Sequence, residues 1–362
     1  MNYNNQFRHD DFYKAIYFPD YEPRRTKNII SRVFLALCVY TLLSYAVVFL
    51  AELFVILKFG RESARTILES PYYIFAIQIL SMYIIALPVF LLICRTGITK
   101  LTQERAAKLI NQKAHSFMSL EEFVVCFFIS TALMILGGLV SNAFTGVLSG
   151  VLGHTIENST AELIEKTPIW LVVLVAVIIG PIFEEFIFRK TMIDILGEFG
   201  RSYAIFVSAI SFGLFHGNFS QVLYASLLGF VLGYVYVKSG KFIYPAMLHI
   251  LLYFFGTVPT LLIGDSLEKI ANGEIILTEG ESLIEHLIDL KNIFGVLILE
   301  YGFAIVGIIL FIQFIVKKKY EIPFAKEIHI PRYDVARISF LNPGVIIFLI
   351  LTIVQFILSI FS

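Results

Sequence analysis

The stretch Gly180 to Lys190 reads GPIFEEFIFRK and sets two adjacent carboxylates, Glu184 and Glu185, at the end of an uncharged run from Ile169 to Phe183. Arg189 follows Glu185 by four residues. Ionisable groups at membrane depth cost a few kcal/mol each and usually mark a site. Positions i and i+4 share a helix face, so Glu185 and Arg189 are spaced to neutralise each other. Glu184 projects about 100° away and is the carboxylate left for other work. The plainer alternative is a solvated Glu-Glu-Arg cluster at an interfacial helix end.

Two histidines lie in apolar segments: His216 in SFGLFHG and His249 in YPAMLHI. The other five, His9, His115, His154, His286 and His329, fall in loops or tails and read as surface residues. A single membrane histidine serves equally well as a helix–helix hydrogen bond. Two of them, with two acids on a neighbouring span, make a set that packing does not require. A carboxylate in a closed apolar site can act as general base on a water, and an imidazole can orient that water. A second imidazole can donate to an oxyanion. This is the chemistry of amide hydrolysis. No serine or cysteine stands in a nucleophile context such as G-x-S-x-G, so water is the expected nucleophile. Glu184, His216 and His249 could instead hold a zinc ion with one open position, although no H-E-x-x-H helix is present. No other cofactor is expected. Glu300 and Glu52, each inside an apolar segment, read as acids near an interface.

These residues need a frame of membrane-spanning helices. The 362 residues are 58% hydrophobic and 15% charged, with mean hydropathy +0.81, far outside the range of soluble domains. The class is all-α, a polytopic transmembrane bundle of about eight or nine helices. Net charge is zero, which gives no nucleic-acid footprint. Cys38, Cys94 and Cys126 are odd in number and lack metal spacing, so neither a disulfide framework nor a thiolate site is expected. No cleavable signal peptide is evident.

Nine spans are read in order. They cover about 33–57, 72–94, 119–146, 168–190, 202–216, 222–237, 242–263, 292–316 and 343–361. Ser119 and Glu122 form a capping-box pattern before the third. The polar stretch Gly217 to Gln221 separates the fifth from the sixth. Basic residues gather at Arg24–Arg32, Arg95–Lys113, Lys238–Lys241 and Lys317–Lys319, and acidic ones in the intervening loops. The positive-inside rule then puts the N-terminus in the cytoplasm of a multi-pass cell-membrane protein. The organisation is a tail at 1–30, N-terminal helices at 31–166, a core at 167–263 and C-terminal helices at 264–362. His249 lies about 10 Å in from the Lys238–Lys241 turn, and the cavity is expected to open on that side.

Glu184-Glu185-x-x-x-Arg189, Phe212-x-x-x-His216 and His249 together resemble the three motifs of the CAAX prenyl protease and bacteriocin-processing (CPBP, or Abi) family of intramembrane proteases. The resemblance covers residues 168–256. It implies an endopeptidase in which Glu184 and His216 activate the water, His249 helps form the oxyanion hole, and Glu185 with Arg189 forms a supporting ion pair. It implies a peptide or lipidated protein as substrate, with membrane lipids as the other partner. The family is often labelled metalloprotease, while a metal-free glutamate mechanism is favoured for it. Two positions depart from the pattern. Tyr253 stands where Asn usually follows the last histidine by four residues, and Lys190 replaces a common glycine. A tyrosine hydroxyl can still donate to an oxyanion. A catalytically silent immunity or binding protein on the same scaffold is the alternative. A proton-relaying transporter ranks last, because the halves show no internal symmetry.

Overall fold

The computed structural model describes residues 21–96, 118–156, 163–264, 266, 283–317 and 330–361. The expected basic loop from Lys100 to Lys113, the acidic loop from Asp265 to Glu281, Lys318–Lys319 and most of the tail lie outside these residues, as do His9, His115 and His329. The helices, in chain order, are α1 (Pro23–Phe59), α2 (Arg61–Leu68), α3 (Pro71–Thr96), α4 (Leu120–Leu152), α5 (Ile169–Phe199), α6 (Arg201–Phe215), α7 (Phe219–Ser239), α8 (Ile243–Leu262), α9 (Leu283–Lys317), α10 (Arg332–Phe340) and α11 (Pro343–Leu358). No strand occurs among the described residues.

Seven of these helices are long and apolar enough to cross a membrane, and α10 with α11 makes an eighth if the pair, bent by 55°, counts as one span. The fifth expected span is present as α6, but at 15 residues it rises only about 22 Å, short of a hydrocarbon core about 30 Å thick. The aliphatic and aromatic side chains left outside, such as Leu57, Phe49 and Ile298, are those a lipid-facing helix presents. Cys38, Cys94 and Cys126 are free thiols, all buried.

The chain divides into two compact units. The first takes residues up to His115, Ile187–Ser208 and Ile322–Leu358. Within it α11 lies along α1. Asn342 Nδ2 donates to the Lys27 carbonyl at 2.8 Å, the Gly344 N–H donates to Ser31 Oγ at 3.0 Å, and Phe34 meets Phe348 edge-on at 5.3 Å. Arg25 grips Glu198 through two bonds of 2.7 and 3.1 Å. Tyr21 donates to Asp334 Oδ2 at 2.8 Å, and burial together with that carboxylate pushes its phenol well above the usual tyrosine range. The end of the N-terminal tail is thus fastened to α10.

The second unit takes Ser116–Phe186, Ala209–Glu321 and the last four residues, and it holds the acid–histidine set. The capping box forms as expected: Glu122 N–H donates to Ser119 Oγ and Ser119 N–H to Glu122 Oε2, each at 3.1 Å. The same Glu122 also pairs with Lys238 at the end of α7, a contact across 116 residues that local spacing does not reveal. Phe127, Phe128, Phe255 and Phe303 stack edge to face and join α4, α8 and α9. At the break between α6 and α7, Gly217 takes φ 66°, a left-handed turn that a side chain would strain. Asn218 then caps α7, accepting from the Gln221 N–H at 2.9 Å.

Gly229 of α7 packs on the backbone of Ala209 in α6, and a Cβ there would come within 2.9 Å of the Ala209 Cα. Gly229→Leu is therefore expected to destabilise the protein by about 1–3 kcal/mol, the usual cost of overpacking. A thermal melt in detergent measures this, and an unchanged midpoint would show that the α6–α7 contact is looser than described.

Candidate active site

Glu184 and Glu185 sit where α5 changes winding. The helix is π-wound over Val172–Ile179 and Phe186–Ile193, with an α-helical turn, Gly180–Glu185, between them. Wide turns of this kind concentrate at functional sites, because the extra residue re-aims side chains. The two carboxylates meet different surroundings, as their spacing predicts. Glu185 is fully buried, whereas the Glu184 side chain is 26% exposed.

His249, from the first half of α8, stands between them and is fully buried. Its Nδ1 lies 2.9 Å from Glu185 Oε1, within hydrogen-bond range, and its Nε2 lies 3.8 Å from Glu184 Oε2, beyond it. Glu184 Oε2 and His249 Nε2 are both buried, and neither has a hydrogen-bond partner among the described residues. With Glu185 ionised, Nδ1 carries a hydrogen and the ring is fixed in orientation.

Phe212 is buried against both imidazoles, edge-on to His216 at 4.9 Å and to His249 at 5.8 Å. His216 Nδ1 lies 2.8 Å from the Phe212 carbonyl. A carbonyl only accepts, so Nδ1 is the donor, and Nε2 of the neutral ring is left as an acceptor. One helical turn beyond His249, the Tyr253 ring meets it at 4.9 Å. Glu184, Glu185, His249 and Tyr253 thus share one neighbourhood, and His216 joins it through Phe212. Arg189, also fully buried, lies one turn beyond Glu185 along α5.

Among the described residues no three His, Cys, Asp or Glu side chains are placed to hold a metal ion together. The zinc set considered from the sequence, Glu184, His216 and His249, is therefore not assembled as ligands here, and no chemical step is derived through a metal.

A cavity of about 360 Å³ begins at Tyr253. Its lining residues on α8, Leu252 to Thr257, lie beyond His249 and away from the Lys238–Lys241 turn. Glu300, read from the sequence as an interfacial acid, lines this cavity and accepts from Thr260 Oγ1 at 3.0 Å.

The fold is that of a polytopic membrane protein. Residues 166–255 match the family model "Type II CAAX prenyl endopeptidase Rce1-like". "Putative membrane peptidase YdiL" of Bacillus subtilis (strain 168) is 27% identical over 201 residues, which cover 55% of this chain and 77% of that protein. No solved structure matches the chain. The segment that carries Glu184, Glu185, His216 and His249 is thus similar to the CAAX prenyl endopeptidase family, and these likenesses support a membrane endopeptidase.

Because His249 and Glu185 are buried together, truncating Glu185 to Ala leaves a buried polar group uncompensated and is expected to cost about 3–5 kcal/mol. The partly exposed Glu184 replaced by Gln should cost far less. Parallel detergent melts of the two variants check this order, and equal losses would contradict the division of labour between the carboxylates.

Proposed function

We propose that the protein is an intramembrane endopeptidase in which Glu184 activates a water against a peptide bond. The observation that carries this reading is the facing pair of buried, unbonded polar atoms, Glu184 Oε2 and His249 Nε2, 3.8 Å apart. Buried polar atoms without partners are rare in folded proteins and call for a ligand or a chemical role. Here one atom is a base. The other is a donor when the ring is the imidazolium held by Glu185.

The step balances as follows. Glu184 takes a proton from the water as its oxygen attacks the carbonyl carbon. The carbonyl oxygen becomes an oxyanion and accepts a hydrogen bond from His249 Nε2–H, which keeps its proton. The C–N bond then breaks, and Glu184 returns the proton to the leaving amine. His216, its Nδ1 committed to the Phe212 carbonyl, offers Nε2 as an acceptor that orients the same water. Tyr253 supplies a second donor to the oxyanion, in the place of the family's usual Asn. Glu185 acts through His249 as a positioning residue, and Arg189 is its proposed ionic partner. The substrate is a membrane-associated peptide or lipidated protein, as the names of the matched family and relative suggest. The basic turns put the N-terminus and the Lys238–Lys241 end of the site in the cytoplasm of a cell-membrane protein.

A silent immunity or binding protein is the second reading, favoured by Tyr253 alone. An assay in detergent with internally quenched peptides, prenylated and unprenylated, separates the two. Wild type is expected to cleave, and Glu184→Gln to lose about 10²–10⁴ of the rate. His249→Ala should lose a comparable factor. Each protein is run with and without a zinc chelator, and unchanged cleavage in the chelator arm supports the metal-free route. Cleavage by Tyr253→Asn alone would overturn the active reading and establish the silent scaffold.

A further inference from the structure

The cavity at Tyr253 has apolar side chains such as Leu252, Phe255 and Phe303 and the polar groups of Gln221 and Tyr224 on its lining, and it holds one carboxylate, that of Glu300. Apart from Lys291 near its start, α9 carries no other charge between Asn292 and Val316. A carboxylate accepts about four hydrogen bonds, and Thr260 provides one. Among the described residues no lysine, arginine or histidine pairs with Glu300. Thr260 stands seven residues beyond Tyr253 on α8, about 10 Å along the helix. The cavity therefore has a chemical direction, with the proposed catalytic group Tyr253 and the negative charge of Glu300 both on its lining and a largely apolar wall, interrupted by hydroxyls and an amide, between them.

We propose that Glu300 is a specificity-determining residue that receives the cationic end of a lysine or arginine side chain of the substrate. The inference rests on the endopeptidase reading for the identity of the ligand as a peptide. A lysine has a flexible four-carbon stem carrying a compact charge, which suits an apolar wall ending in a carboxylate. An occupant made only of hydrocarbon, such as a prenyl chain, would leave the Glu300 charge with Thr260 alone and no cation, which is unfavourable. Thr260 orients Glu300 from the side and leaves its other oxygen to the substrate cation.

The test separates binding from cleavage. Fluorescent ten-residue peptides carry one lysine, scanned through every position, or at the same position norleucine, the uncharged analogue, or glutamate. Their binding to detergent-solubilised Glu184→Gln protein is read by anisotropy, and their cleavage by wild type is read in parallel. At one position lysine is expected to bind at least about tenfold tighter than norleucine. In Glu184→Gln/Glu300→Gln the lysine-to-norleucine ratio should fall to about one, and in Glu184→Gln/Glu300→Lys glutamate should be preferred there. Equal binding of lysine and norleucine at every position, or a preference that survives loss of the Glu300 charge, would overturn the proposal. Failure of wild type to cleave any bound peptide would instead overturn the endopeptidase reading, since the binding arm does not depend on turnover.

Discussion

The contact between His249 and Glu185 is the constraint on which the site depends. Two polar side chains 64 residues apart in sequence are removed from both water and lipid, and each answers the other. Without the carboxylate, the imidazole would carry an unmatched donor in a region that supplies no solvent. Without the imidazole, α8 would have no polar reason to press its first half against α5. The bond also turns the ring. Once Nδ1 is committed to Glu185, Nε2 can only face the other glutamate. Two neighbouring residues of the same type thereby acquire different surroundings, one buried against the ring and one partly exposed beside it.

The rest of the second unit keeps that arrangement from relaxing. The phenylalanine cluster across α4, α8 and α9 gives rigid aromatic walls on one side. Phe212 fills the space between the histidines with a ring, so neither imidazole can swing towards the other. The Lys238–Glu122 pair closes the helix ends near the basic turn, while the close approach at Gly229 holds α7 against α6. Small residues at such crossings replace the hydrophobic driving force that helices lack inside lipid.

Much of this was legible in the chain because it is local. The unequal exposure of Glu184 and Glu185 follows from the helical angle between consecutive residues. The capping box at Ser119 follows from a spacing of three, and the break at Gly217–Asn218 follows from residue types that favour turns and caps. What was not legible required knowing which helix lies beside which. The partner of His249 is on another helix, as is the partner of Lys238. Position along α9 suggested an interfacial Glu300, but depth alone does not tell whether a residue faces lipid or lines a cavity. Which residues line that cavity is likewise a property of packing between helices, and no single segment encodes it.

The shortness of α6 has a consequence for the surrounding lipid. A helix that rises about 22 Å, with Phe206 52% exposed on its flank, cannot match an unperturbed hydrocarbon slab. Acyl chains beside it must tilt or thin, which draws the headgroup layer inward at that point. His216 follows directly after the last residue of α6. Beside a thinned annulus the imidazole therefore lies closer to a headgroup layer than the end of a full-length span would.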